Sequence, residues 1–157
     1  MARAGGGRRS SAFRRILHAS DFSRASAKAF ATALSLARAN RAPLTVAHVL
    51  TPVVPVTGEG YVLAQTYDQI EASARAAARK QLDRLVARAR AAGVRASGLL
   101  LTGTPHEQLV RALRSRRADV AVIGTHGRTG LARFFLGSVA ARVVALAPCP
   151  VLTVRGR

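Results

Sequence analysis

A chain of 157 residues, 49% of them hydrophobic, has the length of one domain and enough apolar material for a buried core. No apolar run approaches the roughly 20 residues that cross a bilayer, and no apolar segment of a secretory signal follows the N-terminus, so we expect a cytoplasmic protein without a membrane partner. The single cysteine, Cys149, excludes an intrachain disulfide and a cluster of thiolate metal ligands, and its surroundings favour a small apolar residue over a reactive thiol.

The formal net charge of +18 raises the question of a nucleic acid partner. Residues 1–15 hold five arginines and no acidic residue, and many of the other basic residues are spread along predicted helices. No basic strand carries the interleaved aromatic residues that stack on single-stranded bases. We therefore expect no specific nucleic acid ligand, although loose electrostatic association is compatible with the charge.

The pattern along the chain predicts a disordered basic arm over residues 1–12, rich in glycine, arginine and serine, followed by a single domain over 13–157. In the domain, short apolar runs alternate with segments of helical periodicity. The predicted strands cover residues 15–19, 44–50, 94–102, 119–123 and 150–154. The connection 51–61 holds proline and glycine and is predicted to be a mobile flap.

The predicted helices lie between these strands. Ser23 is a suitable N-cap for the first helix, and Gly93 a suitable residue to end the long second helix, which starts near residue 64. Apolar residues recur at helical spacing in that second helix from Ile70 to Ala89. A third helix is predicted over 105–116 and a fourth over 139–146. Strands joined through helices predict right-handed crossovers and an open, mostly parallel α/β sheet with helices on both faces.

Three segments follow the carboxyl ends of predicted strands, where ligands bind in sheets of this kind. They are Asp21 after the first strand, Val49 at the end of the second, and the loop 124–138 after the fourth. The loop is spaced by glycines and holds two arginines and no acidic residue, and it leads into a helix whose N-terminus suits a phosphate. It lacks the Lys-Ser or Lys-Thr pair of a Walker A loop, and a dinucleotide fingerprint would follow the first strand.

The loop spacing is Gly-x-x-Gly, nine residues, then Gly-Ser. With it the sequence resembles the ATP-binding branch of the universal stress protein family over about residues 14–155. The other matching motifs are Asp21-Phe22-Ser23, Ala47-His48-Val49, the turn 103–107 and the segment 148–152. The resemblance implies an open five-stranded sheet of order 3-2-1-4-5, of the adenine nucleotide alpha hydrolase-like type, and a homodimer formed through the C-terminal strand.

The resemblance also implies which residues hold the phosphates of ATP. Gly124 and Gly127 would let the backbone approach ribose and phosphates. Gly137, Ser138 and Val139 would offer N–H groups to the phosphates at the N-terminus of the fourth helix, and Ser138 would add its hydroxyl.

Other residues would hold the adenine end and a metal ion. Val49 would contact adenine through its main chain, and Ile123 would line the base or ribose. Asp21 would lie at the mouth of the cleft, although its position also suits a turn ahead of a helix. Arg128 is a phosphate neighbour or a solvated loop residue. Mg²⁺ accompanying ATP would lie near Asp21 and Ser138, while no protein cluster has metal-ligand spacing.

The residues do not predict a catalytic centre. No nucleophile, general base and orienting group assemble, and no glutamine or glutamate beside the loop would position a water, so we expect at most slow ATP hydrolysis. His48 on its apolar strand is more simply a core histidine than a ligand. The leading hypothesis is an ATP-binding stress-response regulator that acts through nucleotide-dependent conformation or assembly. The alternatives are a partner-interaction module of the same fold without ATP, and a slow ATPase or adenylate-transferring enzyme.

Overall fold

The computed structural model describes residues 13–52, 64–125 and 136–156. The strands are β1 (Ile16–Ala19), β2 (Leu44–Leu50), β3 (Ala96–Thr102), β4 (Val120–Gly124) and β5 (Val151–Val154). The helices are α1 (Arg24–Asn40), α2 (Ala64–Ala91), α3 (Pro105–Ser115) and α4 (Ser138–Leu146). The predicted arm 1–12, residues 53–61 of the predicted flap and residues 126–135 of the glycine loop lie outside the described residues.

The five strands form one parallel sheet in the order β3-β2-β1-β4-β5, which confirms the predicted fold. In the centre, His18 of β1 lies opposite Val46 of β2 and Val122 of β4. Because every strand runs in the same direction, all carboxyl ends lie at one edge, here called the carboxyl edge. The strand starts and the helix C-termini lie at the opposite edge, here called the amino edge.

Helices cover both faces of the sheet. Alternate residues of a strand point to opposite faces, so the neighbours Ile16 and Leu17 enter different cores. The first core lies under α1 and α2, where Phe30 and Leu82 are fully buried. The second core lies under α3 and α4. Its buried helix residues are Leu109, Ala112, Leu113, Ala140 and Val143.

Two predicted helix ends are confirmed. The Ser23 hydroxyl accepts a hydrogen bond from the Ser26 amide at 3.2 Å and thereby caps α1. Gly93 follows α2 with φ at +81°, the left-handed conformation that ends many helices and that glycine adopts without strain.

Four of the five predicted strands start too early, β3 by two residues and β1, β4 and β5 by one. Residue 15 is not part of β1, because the Asp119 carboxylate accepts the amides of Arg14 and Arg15 at 2.8 and 2.7 Å. Val94 is not part of β3, because its amide donates to the Ala89 carbonyl at 3.0 Å and closes the end of α2. Local side-chain and helix-end bonds therefore decide where the sheet begins.

The first half of α2 extends beyond the core. Its buried residues begin at Ala78, whereas Ile70 is 50% exposed. The apolar spacing from Ile70 onward therefore marks a helix of which only the second half packs on the sheet. Within the described ranges, no helix has the length and apolar character to span a membrane.

Candidate functional site

A cavity of about 780 Å³ opens at the carboxyl edge of the sheet. The ends of β1, β2 and β4 form its floor, α2 forms one wall, and the N-termini of α3 and α4 complete it. This is the edge at which α/β sheets of this type bind ligands.

The structure brings the described candidate residues together around this cavity. The candidates that line it are Asp21, Val49, Ile123, Gly124, Gly137, Ser138 and Val139. Gly127 and Arg128, the two remaining candidates, lie outside the described residues. Asp21 and Ser138 are separated by 117 positions in the sequence numbering and reach one cavity only through the parallel topology.

The main chain of Val49 faces the cavity because β1 ends before β2 does. The last pair between the two strands joins Ala19 and Ala47, and the Ser20 amide still donates to the Ala47 carbonyl at 2.8 Å. In a parallel strand the N–H and C=O of one residue point to the same side, and alternate residues share that side. The backbone groups of Val49 therefore point toward β1 at a level where β1 has already turned away, which leaves room for a ligand edge.

A polar cluster fixes the turn between β1 and α1. The Ser20 and Ser26 hydroxyls lie 2.9 Å apart, and the Phe22 amide donates to the Ser20 hydroxyl at 3.2 Å. The His48 Nδ1 lies 2.7 Å from the Ser20 carbonyl oxygen and donates to it. His48 is thus a buried and hydrogen-bonded histidine, as expected, and it also forms part of the cavity lining.

Asp21 has a structural role in the same turn. Its Oδ1 accepts the Ser23 amide at 3.0 Å, which is the turn ahead of a helix that the sequence suggested. The side chain is half-buried and belongs to the cavity lining, where it is the one acidic residue among the described lining residues. A turn role therefore leaves the remaining carboxylate lone pairs available to the cavity.

The N-terminus of α4 lies at the cavity without a side-chain cap. Gly137 occupies the cap position and has no side chain to cap the first turn, no side chain of the described residues is bonded there, and the turn holds no acidic residue. The Gly137 amide donates to the Thr125 carbonyl at 2.7 Å, and the Ala141 amide donates to the Gly137 carbonyl at 2.8 Å. The amides of the first three helical residues precede the first intrahelical bond, so they are the groups that an anion would satisfy.

Gly124 has a packing role that the sequence did not reveal. A Cβ atom at this position would lie 3.1 Å from the Ala25 carbonyl carbon and 3.2 Å from the Ser26 nitrogen. Those neighbours are backbone atoms at the start of α1, which cannot move as a side chain can. The absence of a side chain therefore lets β4 and α1 approach each other directly beneath the cavity.

Sequence reasoning missed the wall formed by α2. Ala74, Ala77, Ala78 and Gln81 lie at positions i, i+3, i+4 and i+7, so they form one face of the helix, and all four line the cavity. The signal was present as a face of small residues ending in an uncharged glutamine, within a helix otherwise rich in charge. A face of alanines leaves space for a flat ligand rather than filling a core.

The pKa values of His18 in β1 and of Cys149 ahead of β5 are shifted. Burial lowers the pKa of His18 to about 4, against the opposing effects of its bond to the Val122 carbonyl and of Asp21. Burial also raises the pKa of the Cys149 thiol, which is partly relieved by a backbone hydrogen bond from Ala121 and reinforced by Asp119. Cys149 is half-buried against the second core, consistent with a small apolar residue.

The described residues offer no metal centre built from protein ligands alone. Within the described ranges, no three histidine, cysteine, aspartate or glutamate side chains lie close enough to hold an ion. A divalent cation at this cavity would therefore need ligands from a bound molecule in addition to Asp21 and Ser138.

Comparison with known proteins identifies relatives along nearly the whole chain. A sequence model of the universal stress protein family matches residues 12–155. The protein described as "Universal stress protein in QAH/OAS sulfhydrylase 3'region" of Thermus aquaticus is 38% identical over 143 residues, which cover 91% of this chain and 99% of the relative.

Solved structures of similar fold include proteins with bound nucleotides. A universal stress protein in complex with cAMP has a TM-score of 0.69 and 25% identity, over 92% of this chain and 98% of the other. The universal stress protein from Archaeoglobus fulgidus in complex with dAMP has a TM-score of 0.62 and 26% identity, over 90% of this chain and 97% of the other. Both complexes contain an adenine nucleotide.

Proposed function

Because this chain belongs to the universal stress protein family, we propose that it binds ATP in the cavity at the carboxyl edge and acts in the cytoplasm as a nucleotide-dependent regulator. The observation that carries the proposal is the uncapped N-terminus of α4, which lines the same cavity as the end of β2. One cavity thus offers a helix N-terminus that suits an anion and, at the end of β2, the backbone groups that extend beyond the end of β1. Two neighbours of the same family hold adenine nucleotides.

The adenine ring is proposed to lie between β2 and α2. The N–H and C=O of Val49 would pair with the polar edge of the base, as a missing strand would. The alanine face of α2 would cover the flat face of the base, and Gln81 at its end supplies an amide. Ile123 at the end of β4 lies on the floor, where it would contact base or ribose.

The phosphates are proposed to lie at the N-terminus of α4. The amides of Ser138 and Val139 and the Ser138 hydroxyl are donors, and the helix dipole adds a partial positive charge. Gly124 and Gly137 keep the backbone close to the ligand. The proposed roles of Gly127 and Arg128 rest on the family resemblance, since both residues lie outside the described ranges.

Mg²⁺ bound with ATP would fit Asp21 and Ser138. Mg²⁺ takes oxygen ligands and is commonly held by one or two protein oxygens plus the phosphates of the nucleotide. A carboxylate and a hydroxyl at one cavity are the oxygen donors that this arrangement requires. We expect Asp21→Ala to weaken ATP binding when Mg²⁺ is present, measured calorimetrically.

The proposed action is a change in conformation or assembly rather than turnover. Among the described lining residues, Asp21 is the single carboxylate, and its Oδ1 is engaged by the Ser23 amide. That set supplies binding groups and no second carboxylate to position an attacking water, and its one glutamine, Gln81, is assigned here to the base and not to the phosphates. Slow hydrolysis of ATP, and a partner-interaction role without ATP, are the alternative functions.

The assembly is proposed to be a homodimer through β5. β5 is an edge strand of the sheet, and Leu152 in it is 40% exposed. Val144 and Leu146 of α4, which contacts β5, are 46% and 52% exposed. An unpaired edge strand with exposed apolar side chains is stabilised by pairing with a second copy.

The experiment that tests the proposed function is to purify the full chain, denature it and identify released nucleotide by chromatography. Release of ATP supports the proposal. Release of ADP alone supports the slow ATPase. A preparation that releases nothing and then fails to bind added ATP supports the module without a nucleotide and contradicts the proposal.

A further inference from the structure

The amino edge of the sheet carries a dense group of arginines, here called the basal arginine face. Parallel topology places the strand starts and the helix C-termini there, and all of these segments except the end of α4 and the start of β5 contribute arginine. The members, all of them exposed, are Arg14, Arg15, Arg38, Arg41, Arg88, Arg90, Arg95, Arg114, Arg116 and Arg117. The chain enters this edge through Phe13, and residues 1–12 before it hold Arg3, Arg8 and Arg9 without an acidic residue.

Little negative charge offsets this face. Among the described residues, Asp119 is the one acidic residue in the connections and helix ends at this edge. Its carboxylate already accepts the Arg14 and Arg15 amides at 2.8 and 2.7 Å, and it lies 3.4 Å from the Arg15 guanidinium. Despite partial desolvation, which acts in the opposite direction, these bonds hold the pKa of Asp119 below its usual value.

Some of these arginines also have structural contacts. Arg88 lies over the Phe30 ring at 5.3 Å, and Arg90 donates to the Ala96 carbonyl from two nitrogens at 3.0 and 2.9 Å. Arginines in the last turns of α1, α2 and α3 also complement the helix dipoles. These roles do not account for the arginines that follow the helices.

Two of those arginines occupy positions that disfavour them. α1, α2 and α3 all end with the same pair of backbone hydrogen bonds. In each pair one residue donates its amide to the carbonyl three residues earlier, and the next residue donates to the carbonyl five residues earlier. The first residue of each pair has a left-handed backbone: Arg41 with φ at 51°, Gly93 at 81° and Arg117 at 49°. Glycine is the residue that adopts this conformation without strain, and α2 uses it. At the ends of α1 and α3 an arginine occupies a position at which glycine would be more stable, which indicates a function for the arginine side chain.

We propose that the basal arginine face binds the phosphate backbone of duplex nucleic acid, independently of base sequence. Exposed guanidinium groups bind phosphates bidentately, and a duplex presents one charge per about 1.7 Å of its length. The arginines lie at the amino ends of β3, β2, β1 and β4, and four strands spaced by roughly 4.8 Å span about 14 Å, so the face meets several phosphates at once.

Two features favour a duplex over other anionic partners. In the connections after α1, α2 and α3 the apolar residues Ala42, Val94 and Ala118 are buried, so the part of the face that carries arginine presents no large apolar side chain to insert into a lipid bilayer. The exposed Leu146 lies at the end of α4, whose last turn carries no basic residue. Phe13, the aromatic residue that enters this edge, packs against the first core and is not a platform for unstacked bases. What these connections expose to solvent is mainly guanidinium groups.

The test uses the full chain and labelled duplexes of about 20 base pairs, one of DNA and one of RNA with the same sequence. The variant is Arg41→Gly with Arg117→Gly, and the control is Arg24→Gln with Arg79→Gln, which removes two exposed charges at the start of α1 and in the middle of α2, away from this edge. The variant relieves two left-handed arginines, so its midpoint of urea unfolding is expected to rise. A loss of binding together with a rise in stability cannot come from unfolding.

We expect the variant to bind duplex roughly tenfold more weakly and to lower the slope of log affinity against log salt by about 2, since each lost phosphate contact removes about 0.9. The control is expected to stay within about twofold of the unchanged chain. Binding of DNA alone or RNA alone would assign the duplex type. The proposal is overturned if variant and control bind alike, or if vesicles of phosphatidylcholine and phosphatidylserine are bound and neither duplex is. The nucleotide cavity lies at the opposite edge of the sheet, so ATP binding and duplex binding can be measured independently of each other.

Discussion

The Phe22 ring packs against the His48 imidazole, with 4.3 Å between the ring centroids and 31° between the planes. Phe22 has a left-handed backbone with φ at 63°, which a bulky residue adopts only when its surroundings hold it. The ring stacking and the hydrogen bond from the Phe22 amide to the Ser20 hydroxyl stabilise this backbone conformation. This pair therefore fixes the turn that brings Asp21 to the cavity.

Replacing Phe22 should separate the contribution of the ring from the strain of the backbone. Phe22→Ala removes the stacked ring and keeps a left-handed non-glycine residue, so we expect a loss of about 2 kcal/mol in the free energy of unfolding. Phe22→Gly also loses the ring but adopts this φ freely, and should be about 1 kcal/mol more stable than Phe22→Ala. Urea unfolding measures the stability of both variants. An alanine variant at least as stable as the glycine variant would contradict backbone strain at this position.

Gly124→Ala should affect both stability and nucleotide affinity. The added Cβ would meet the backbone of Ala25 and Ser26 and push α1 from β4, at a cost of about 1–2 kcal/mol and with weaker ATP binding. Gly93→Ala is the matched control, because Gly93 has a left-handed φ and open space around it, far from the cavity. It should lose about 1 kcal/mol and leave ATP affinity unchanged. Equal ATP affinities in the two variants would refute the role of Gly124 at the site.

His18 should make the protein less stable in mild acid. Its Nδ1 donates to the Val122 carbonyl at 3.1 Å, and its Nε2 has no partner among the described atoms. The pKa in the folded state is about 4, against 6.5 for the free side chain, so the unfolded chain binds the proton first as pH falls. The free energy of unfolding should then drop by about 3 kcal/mol between pH 6.5 and 4.

The control for this pH dependence is His18→Leu, which removes the titrating ring from the same buried position. Its urea unfolding should show a flatter dependence on pH over that range, whatever its stability at neutral pH. The same slope in both proteins would show that another group causes the loss.

Leu152→Glu should convert the proposed dimer to a monomer. A carboxylate in the middle of β5 would be buried and unpaired at an interface with a second copy. Ile70→Glu is the control, since Ile70 is comparably exposed but lies on α2, which packs against β2 and β3 and not against β5. Light scattering after size exclusion should give half the mass for the first variant and an unchanged mass for the second. A dimer that survives Leu152→Glu would place the interface elsewhere.

The order and type of the elements could be predicted from the sequence because the apolar pattern changes period between strands and helices. The misjudged strand starts at Arg15 and Val94 depend on bonds to Asp119 and Ala89, the first of them more than 100 residues away. Periodicity within a short segment carries no information about such partners.

The candidate site was predictable where a residue lies at or just after the carboxyl end of a strand, as Val49 and Asp21 do. The alanine face of α2 was not found, because small residues at helical spacing suggest a face that packs in the core. Only the packing shows that the first half of this helix extends beyond the sheet. The contact of Gly124 with Ala25 was hidden for a related reason, since a glycine in a phosphate-type loop suggests a ligand before it suggests a neighbouring helix. The basal arginine face was also hidden, because the arginines gather only when parallel topology brings helix ends to one edge.

The measurement that tests the central claim most directly is a calorimetric titration of the nucleotide-free chain with ATP, repeated with Ser138→Pro and Ser138→Ala. Ser138 is the first residue of α4, where proline is accepted, and Gly137 before it has the extended ψ of 149° that proline requires. Ser138→Pro therefore removes the amide donor and the hydroxyl while the helix stays intact, and Ser138→Ala removes the hydroxyl alone.

We predict one ATP bound per chain, with affinity lowered about tenfold or more by Ser138→Pro and less by Ser138→Ala, as expected for the loss of a hydrogen bond to a charged group. Adenosine, which lacks the phosphates, should bind the three proteins alike. Absence of ATP binding to the unchanged chain, or equal ATP affinity in all three proteins, would contradict a phosphate site at the N-terminus of α4.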